Sequence, residues 1–593
     1  MTDSPSRQGR SVRIGSRESG GVDPGVTSTG GHPDGFAAVV RRRLERMLSG
    51  AACVAALIFL SVLVSNLVGL LFIRHPMIGY SDNMLADAEA VATGHFQYGN
   101  PATQFVGMPY TPLFTWIVAA LLRVSWWPGW GPLVSMLAGI AVIASLVHLL
   151  WSGSRSLKHR LVTTSFVITL VLGALSAFPI LGTFPISALE EGRPDLLAWA
   201  LLIIAGTGIF RGFFSGGLST PRRVVAGLLL TGSVFTKQIT LVPAIAIALV
   251  AVTLPTAAER GESSIARWRR SATVILVFFS SSALLGVVLQ FASHGYAYDE
   301  LVQLPLRYGR LVPLWHQAGT SLRLLIIPLV AFVVLVVAAA ISFRVDRERY
   351  THRDRVIAVA AIIVGLSPIP TAVLAEAKLG GEANQLTGPA LTLSLACAVL
   401  LLLVRVSIRQ LLAASVACGV LLLGVDPFSQ AIPGQLGVPD LHQTVTWQAM
   451  DPFLVTASSK RQAVFDWIYP SLSVSPRASS YPVGDVHDSL AGGYTPRWFI
   501  NNLLTGRYSL VTGIGQWEPG YESNLNRYDA SVLWKINLMI TMGYAPVRDA
   551  STGNLYYRPS PALKRIQWFS QCFGPYQAPL AGVQIPSKTR LRD

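Results

Sequence analysis

Acidic and basic side chains recur just beyond the ends of apolar segments in this sequence. Asp82 follows the first apolar segment, Arg193 and Asp195 open a later one, and Lys237 interrupts another. A carboxylate held at a membrane surface can take a proton from a hydroxyl and so act as a general base. Nearby Lys and Arg side chains can bind a phosphate and stabilise it as it departs. The pattern predicts a site that handles a charged group carried by a lipid.

Asp82 is the first candidate for the base, with a helix cap or a solvated loop acid as the alternative. Asp87 lies five residues further on, on a different side of the segment if that segment is helical. We expect Asp87 and Glu89 to face solvent. If Asp82 is not the base, the next candidates are the acids of the second polar loop, Glu190, Glu191 and Asp195.

The basic and polar candidates for substrate binding each have a simpler interpretation as well. Lys237 is expected to bind the phosphate, or else to extend toward the phosphates of ordinary lipids. Arg193 and Asp195 either serve the site or pair only with each other. The remaining candidates are Tyr110, Arg307, Arg310, His316 and Asn384. The alternative is a charged loop for the two arginines and the histidine, a plain turn for the asparagine, and an interface anchor for the tyrosine.

The composition requires lipid as the main solvent for most of the chain. Of 593 residues, 51% are hydrophobic and 13% are charged, and the mean hydropathy is +0.48. A soluble domain usually carries about 25% charged residues. The net charge of +16 comes from arginines clustered in short loops between apolar segments, which is the pattern that orients membrane proteins. We therefore expect the lipid bilayer, and no nucleic acid, as a partner.

The apolar segments predict an all-α polytopic membrane protein with about eleven transmembrane helices, since a crossing needs about 20 residues. The predicted crossings are residues 51–73, 131–151, 161–181, 195–210, 224–235, 239–254, 272–292, 321–343, 356–376, 391–404 and 411–425.

Loop charge predicts the orientation of these helices. Basic clusters at residues 41–46, 155–160, 222–223, 267–270, 344–355 and 405–409 all fall on the inner side if the N-terminus is cytoplasmic. The apolar stretch 113–122 would break this alternation, so we interpret it as a helix on the outer surface. Residues 224–254 are interpreted as two short helices with Lys237 at the outer turn, because a charge at mid-membrane costs roughly 3 kcal/mol.

The ends of the chain differ from its middle. Residues 1–47 are rich in Gly, Ser, Pro and Arg and predict a disordered cytoplasmic tail. Residues 48–427 form the predicted transmembrane domain. Residues 428–593 contain extended stretches at 507–512 and 554–557 and a helix-like stretch at 531–542, which predicts a small extracytoplasmic α/β domain. No catalytic group of residues is found in this domain.

The polar loops resemble those of GT-C glycosyltransferases, in the branch that includes protein O-mannosyltransferases and aminoarabinose transferases. The resemblance covers residues 51–404. It rests on the order and sidedness of several short motifs, which are Asp82, Ala88-Glu-Ala with Gly94 and Tyr98, Tyr110-Thr-Pro112-Leu113, Arg193-Pro-Asp195, Thr236-Lys237-Gln238, and Gly381 with Asn384.

This resemblance implies an inverting transfer of a hexose or pentose from a polyprenyl-phosphate sugar to a glycan, lipid or protein of the cell envelope. The catalytic Asp of the family lies in the first outer loop, so by position that role falls on Asp82. Two departures are a Tyr110-Thr-Pro sequence where the family often has a Pro pair, and no second acid beside Asp82 to complete a metal site. We therefore assign no cofactor, and a divalent ion, Mg²⁺ or Mn²⁺, stays an open alternative.

Two other classes of function stay open. A lipid or solute transporter often shows two similar halves and ionisable residues at mid-membrane, whereas this sequence has no internal repeat and carries its charges at the predicted outer ends. A non-catalytic assembly partner has no need of acids and bases gathered on one face. The sugar and the acceptor are not determined by the sequence.

The predicted topology is testable by cysteine labelling in intact cells. With a membrane-impermeant maleimide, cysteines placed at Asn100 and in the C-terminal domain should react, and cysteines at Lys158 and Arg267 should not. Strong labelling at position 158 would overturn the orientation.

Overall fold

A computed structural model describes most of the membrane part of the chain and fragments of the C-terminal part. The described residues are 80–100, 107, 109–153, 157–176, 193–215, 217–253, 264–307, 313–378, 383–404, 463–466, 480–482, 497–506, 508–511, 540–548 and 555–563. The predicted tail 1–47 and the predicted crossings 51–73 and 411–425 lie outside them.

The described residues of the membrane part are mainly helical, with loops and short turns between the helices. Its helices are α1 (Tyr80–Ala92), α2 (Leu113–Val124), α3 (Trp130–Gly153), α4 (Leu157–Ser176), α5 (Pro194–Phe214), α6 (Thr220–Val234), α7 (Leu241–Thr253), α8 (Ser264–Ala292), α9 (Leu314–Leu324), α10 (Ile326–Val345), α11 (His352–Leu366), α12 (Ile369–Glu376) and α13 (Thr387–Leu403). Among the described residues, five stretches are long and apolar enough to cross a membrane, namely Trp130–Ser152, Pro194–Phe214, Ala272–Ala292, Ile326–Val345 and His352–Glu376. The predicted class, an all-α polytopic membrane protein, is confirmed, and the number of about eleven crossings stays a prediction.

The predicted and observed helices differ at informative places. The crossing predicted at 321–343 is wrong at its start, because α10 begins at Ile326 and residues 321–324 end the preceding helix α9. Helix α2 has 12 residues, which is too short to span a bilayer, as expected for 113–122. The break near Lys237 is confirmed: α6 ends at Val234, and a 3-10 turn at Gln238–Thr240 leads into α7.

Contacts between helices establish their relative directions. The Ser135 hydroxyl at the start of α3 donates to the Arg193 carbonyl at the start of α5, 2.9 Å away, so these two helices run parallel. The Ser233 hydroxyl at the end of α6 donates to the Ala198 carbonyl of α5 at 2.8 Å, so α6 runs antiparallel to both. Thr231 of α6 in turn bonds the backbone of α8.

The polar loops predicted to share one side of the membrane do meet at one end of the helix bundle. We call this end the loop face, formed by residues 97–100, 107, 109–113, 193–195, 235–240, 293–307, 376–378 and 383–387. At the other end, the Arg353 guanidinium donates to the carbonyl of Phe213, joining the start of α11 to the end of α5. The side of the membrane that the loop face occupies stays a prediction.

The described C-terminal fragments include a mixed five-stranded sheet and helical segments. The strands β1 (Ala463–Asp466), β2 (Ser480–Pro482), β3 (Tyr508–Val511), β4 (Tyr544–Arg548) and β5 (Leu555–Pro559) lie in the order β2-β1-β3-β5-β4. Strand β1 is parallel to β2 and β3, and β5 is antiparallel to β3 and β4. Helix α14 (Arg497–Leu504) precedes β3. The edge strand β2 lies beside α1.

Close packing between helices predicts a sharp difference between two glycine substitutions. A Cβ at Gly388 of α13 would overlap the indole of Trp199 of α5, whereas a Cβ at Gly286 of α8 would meet nothing within 4 Å. Gly388→Ala should therefore lower the free energy of unfolding by about 1–3 kcal/mol, measured as thermal unfolding in detergent. Gly286→Ala is the matched control and should not destabilise the protein. Equal midpoints for both variants would contradict the packing of α13 on α5.

Candidate active site

A buried ion pair lies at the centre of the loop face. The Lys237 ammonium bonds the Asp195 carboxylate, and the two residues are 4% and 5% exposed. Asp195 lies in the first turn of α5 after Pro194, where the positive end of the helix dipole favours a carboxylate. Lys237 lies at the break between α6 and α7. The pair therefore joins the start of one long helix to the interruption between two short ones.

The segment 109–113 covers this ion pair and is held by backbone bonds. The Gln238 amide donates to the Pro109 carbonyl at 3.0 Å, and the Leu113 N–H at the start of α2 donates to the Phe235 carbonyl at 2.8 Å. The ring of Tyr110 consequently lies over the Lys237 ammonium, 5.5 Å from ring centroid to nitrogen. An aromatic face at this distance stabilises a cation.

The Tyr110 backbone is fixed from its other side by two buried residues. The Tyr98 hydroxyl donates to the Tyr110 carbonyl at 2.7 Å, and the Gln97 amide donates to the same oxygen at 3.2 Å. Tyr98 is 1% exposed and Gln97 is 2% exposed. These bonds position the aromatic ring above Lys237 through the main chain of Tyr110.

A buried carboxylate from a distant loop supports the same segment. One oxygen of Glu300 accepts the Gly99 N–H at 3.1 Å, across 201 positions of sequence. The other oxygen, Oε2, has no hydrogen-bond partner among the described residues. Glu300 is 5% exposed. The Glu300 carboxyl therefore ties the loop after α8 to the loop after α1.

The turn that ends α8 positions Glu300 beside the Gly99 N–H. His294 and Gly295 have positive φ angles of 54° and 100°, which end the helix and reverse the chain. The Gln290 side chain stabilises this turn by donating to the Gly295 carbonyl and accepting the Tyr298 N–H, both at 2.9 Å. The chain then continues through a π-helical turn at Asp299–Gln303.

Burial governs the protonation of this cluster. Desolvation raises the pKa of the Glu300 carboxyl well above its usual range, the Gly99 N–H opposes the shift, and the Asp87 and Asp299 carboxylates add to it. Desolvation, with the charges of Glu300 and Asp87, also raises the pKa of the Tyr98 phenol. Tyr98 thus remains a hydrogen-bond donor to the Tyr110 carbonyl at physiological pH.

The expectation that Asp87 and Glu89 face solvent is wrong. Asp87 is 1% exposed and Glu89 is 8% exposed. Gly107 lies directly against the Asp87 carboxylate, where a Cβ would be 2.7 Å from Oδ1. The backbone at Gly107 therefore lies against the side of α1 that the sequence pattern assigned to water.

The remaining predicted residues lie at different places around the loop face. Arg193 is the half-buried residue that precedes α5, and it does not pair exclusively with Asp195, whose carboxylate bonds Lys237. His316 is exposed on α9, with its ring packed edge-on to that of Trp315. Asp82, Arg307 and Asn384 lie in helical backbone with side chains outside the described part, and Arg310 lies outside it altogether.

Helix α1, which carries Asp82 in its first turn, is firmly packed. Its Met84, Leu85 and Ala88 are buried against Phe114 and Val118 of α2. The Arg123 guanidinium at the end of α2 donates to the carbonyls of residues 91 and 92, at 3.1 and 3.0 Å. The Val91 carbonyl also accepts the Gly94 N–H, so Arg123 adds a second donor there and satisfies the last carbonyl of α1, that of Ala92.

Within the described ranges, no group of three His, Cys, Asp or Glu side chains is arranged to hold a metal ion. Because the side chain of Asp82 lies outside those ranges, metal dependence stays open.

Comparison with known proteins gives a match at the level of three-dimensional structure. No protein-family model and no curated protein matches the sequence. Among solved structures, ArnT from Cupriavidus metallidurans bound to undecaprenyl phosphate aligns with 86% of this chain and 99% of its own, at 11% identity and a TM-score of 0.50. The fold is a GT-C fold. This confirms the architecture that the polar loops indicated by resemblance.

Two further structures give weaker matches to this GT-C fold. The apo state of the same ArnT covers 87% of this chain at 11% identity and a TM-score of 0.49. An oligosaccharyltransferase from Archaeoglobus fulgidus, tethered to an acceptor peptide, covers 84% at 12% identity and a TM-score of 0.37. At these identities the likeness concerns the fold alone.

The ion pair predicts a characteristic pattern of stability. Removal of one partner from a buried pair leaves an uncompensated charge and costs about 3–5 kcal/mol. Lys237→Met and Asp195→Leu should each lower the thermal midpoint strongly, and the double variant should recover most of the loss. Thermal unfolding of the four proteins in one detergent provides the measurement. Additive losses in the double variant would contradict a direct pair.

Glu300 predicts a pH-dependent stability. Gln at this position still accepts the Gly99 N–H but cannot ionise. Below the usual carboxyl pKa of about 4.3, wild-type Glu300 is protonated whether folded or unfolded. As pH rises above that value, the unfolded state ionises first, so wild type should lose stability relative to Glu300→Gln until pH passes the raised folded pKa.

Thermal midpoints of wild type and Glu300→Gln across that pH window provide the test of this linkage. If the curves of thermal midpoint against pH run parallel for the two proteins, Glu300 has the same pKa in the folded and the unfolded state, which would contradict the prediction. Asp299→Asn is the neighbouring control, because it removes a half-buried carboxylate from the same turn.

Proposed function

We propose that this protein is a membrane glycosyltransferase that moves a sugar from a polyprenyl-phosphate carrier to a cell-envelope acceptor outside the cytoplasm. The observation that carries the proposal is the buried Lys237–Asp195 pair beneath Tyr110, on the loop face of a chain with a GT-C fold. The solved ArnT with this fold is bound to undecaprenyl phosphate. The chemistry that the cluster offers, a fixed cation beside acids, suits such a donor.

Lys237 is proposed to bind the phosphate of the donor while it stays paired with Asp195. An ammonium has three N–H donors, and the Asp195 carboxylate fixes its position in a site that excludes water. A cation held in this way stabilises the negative charge that develops on the departing phosphate, and it needs no reorganisation during the reaction. Arg193, Arg307, Arg310, His316 and Asn384 remain proposed neighbours of the donor.

Asp82 is proposed as the general base. The acceptor hydroxyl gives its proton to the Asp82 carboxylate as its oxygen forms a bond to the anomeric carbon. The bond from that carbon to the phosphate oxygen breaks, and the carrier leaves as a phosphate anion, which inverts the configuration at carbon. The position of Asp82 in the first turn of a packed helix supports this role, because a rigid element holds the base in place.

Substitution of Asp82 tests the proposed mechanism. Asp82→Asn keeps the shape of the side chain and removes the charge, so transfer should fall by about 10²–10⁴-fold while the thermal midpoint and donor affinity stay near wild type. Release of polyprenyl phosphate, from a panel of polyprenyl-phosphate pentoses and hexoses, provides the measurement.

Asp299→Asn is the matched control and should retain activity, because it removes a carboxylate of the loop face that has no proposed contact with substrate. Asp87→Asn is less suitable, since Asp87 is buried. Near wild-type transfer by Asp82→Asn would exclude Asp82 as the base and make Glu190, Glu191 or Asp195 the next candidate.

A further inference from the structure

Helix α9 buries two polar side chains, Gln317 and Ser321, and exposes two large apolar ones, Trp315 and Leu322, whereas a helix on a soluble protein buries its apolar side. Gln317 and Ser321 are one turn apart and are 8% and 1% exposed. Trp315 and Leu322, two turns apart on the other side, are 78% and 47% exposed. A helix with 3.6 residues per turn separates these two pairs cleanly.

The buried polar side of α9 is fixed by a carboxylate. The Ser321 hydroxyl donates to Oε2 of Glu376 at 2.6 Å, and the Gln317 side chain bonds the same carboxylate. Glu376 is the last residue of α12. A rotation of α9 that turned Trp315 inward would break both bonds and leave the Glu376 carboxylate without these partners, so the orientation of the helix is determined.

The exposed side of α9 continues into a membrane-spanning helix. Only Leu325 separates α9 from α10, which is long and apolar enough to cross the bilayer. Ile326, Val330 and Val334 of α10 are 47%, 44% and 56% exposed at spacings of four residues. The apolar surface that begins at Trp315 therefore joins the surface through which α10 meets lipid.

We infer that α9 is an interfacial helix, docked on the bilayer with Trp315 and Leu322 at the boundary between lipid headgroups and acyl chains. Trp favours this zone because its ring is amphipathic, and helices with separated polar and apolar sides lie in it. Continuity with α10 identifies bilayer lipid as the occupant of this surface. The inference depends on membrane placement and is independent of glycosyl transfer.

This placement has a consequence for the segment before α9. The Lys378 ammonium donates to the Pro305 carbonyl at 2.8 Å, so the turn at Leu304–Arg307 and the helix α9 are both tied to residues 376–378. With α9 in the interface, His316 and the backbone of Arg307 are held near the level of the lipid phosphates. A phosphate carried by a bilayer lipid resides at that same level.

Site-directed spin labelling in proteoliposomes tests this inference. In a variant that lacks the four native cysteines, nitroxides at positions 315 and 322 should collide more often with oxygen than with a water-soluble nickel chelate. Val334→Cys, on the exposed side of α10, is the lipid reference, and Ala545→Cys, exposed on β4, is the water reference. Labels at 315 and 322 should resemble position 334 but lie at shallower depth.

Two outcomes would overturn the inference. A ratio of oxygen to nickel-chelate collisions at positions 315 and 322 that equals the ratio at position 545 would place α9 in water. Exclusion of both reagents from positions 315 and 322 would show that protein covers α9, as in contact with a second copy. If the cysteine-free variant does not fold, fluorescence quenching by brominated lipids replaces the labels. Wild type should then lose more signal than Trp315→Phe, and equal quenching would equally contradict lipid contact.

Discussion

The contact between Lys237 and Asp195 is the constraint on which the rest of the loop face depends. A charged side chain is costly in an apolar surrounding unless a partner of opposite charge meets it, and both residues are almost fully buried. The two side chains meet because α6 ends before residue 235 and α5 begins at residue 194, which brings the Lys237 ammonium beside the Asp195 carboxylate. The helix break is therefore the means by which the membrane part accommodates an internal lysine.

The loop after α1 extends this arrangement over the ion pair. Its Tyr110 carbonyl receives two side-chain donors, and its start is held by the Glu300 carboxyl from a segment some 200 residues away. Three distant parts of the chain consequently fix one aromatic ring above one ammonium. A site organised through main-chain bonds in this way is rigid, which suits the stabilisation of a developing phosphate charge.

Much of the fold followed from the sequence because its signals are local. The apolar lengths predicted most of the described helices, and the cost of a buried charge predicted the break at Lys237. The same local reasoning placed Asp87 in solvent, since nothing near it in sequence shows that Gly107 returns to cover it. Glu300 was not singled out, although Ala297 and Leu304, one turn away on either side, are buried and indicate a buried side of that turn.

The predicted start of the crossing at residue 321 is wrong for a related reason, since α10 begins at Ile326. Residues 321–324 read as the beginning of a crossing because Leu322 and Leu324 are apolar, but Ser321 is held by Glu376 from another helix. Pairing between polar groups far apart in sequence decides such boundaries, and a single sequence does not contain it. Helix α14 and the strands β1, β2 and β4 were likewise not predicted, since each is a segment of at most eight residues. In α14 the buried apolar residues Phe499, Ile500, Leu503 and Leu504 do follow the helical period, so this local signal is present in the sequence.

Native mass spectrometry of the protein purified from its membrane tests the central claim most directly. The account predicts a retained polyprenyl phosphate, bearing a sugar in a fraction of molecules, that persists against excess phospholipid. This lipid should be depleted in the Lys237→Met, Asp195→Leu double variant, which lacks the cation and is expected to recover most of the stability that either single substitution loses. The mass of that sugar would identify the donor. Retention of bulk phospholipid alone, with no adduct after incubation with polyprenyl phosphate, would contradict a carrier-dependent glycosyltransferase.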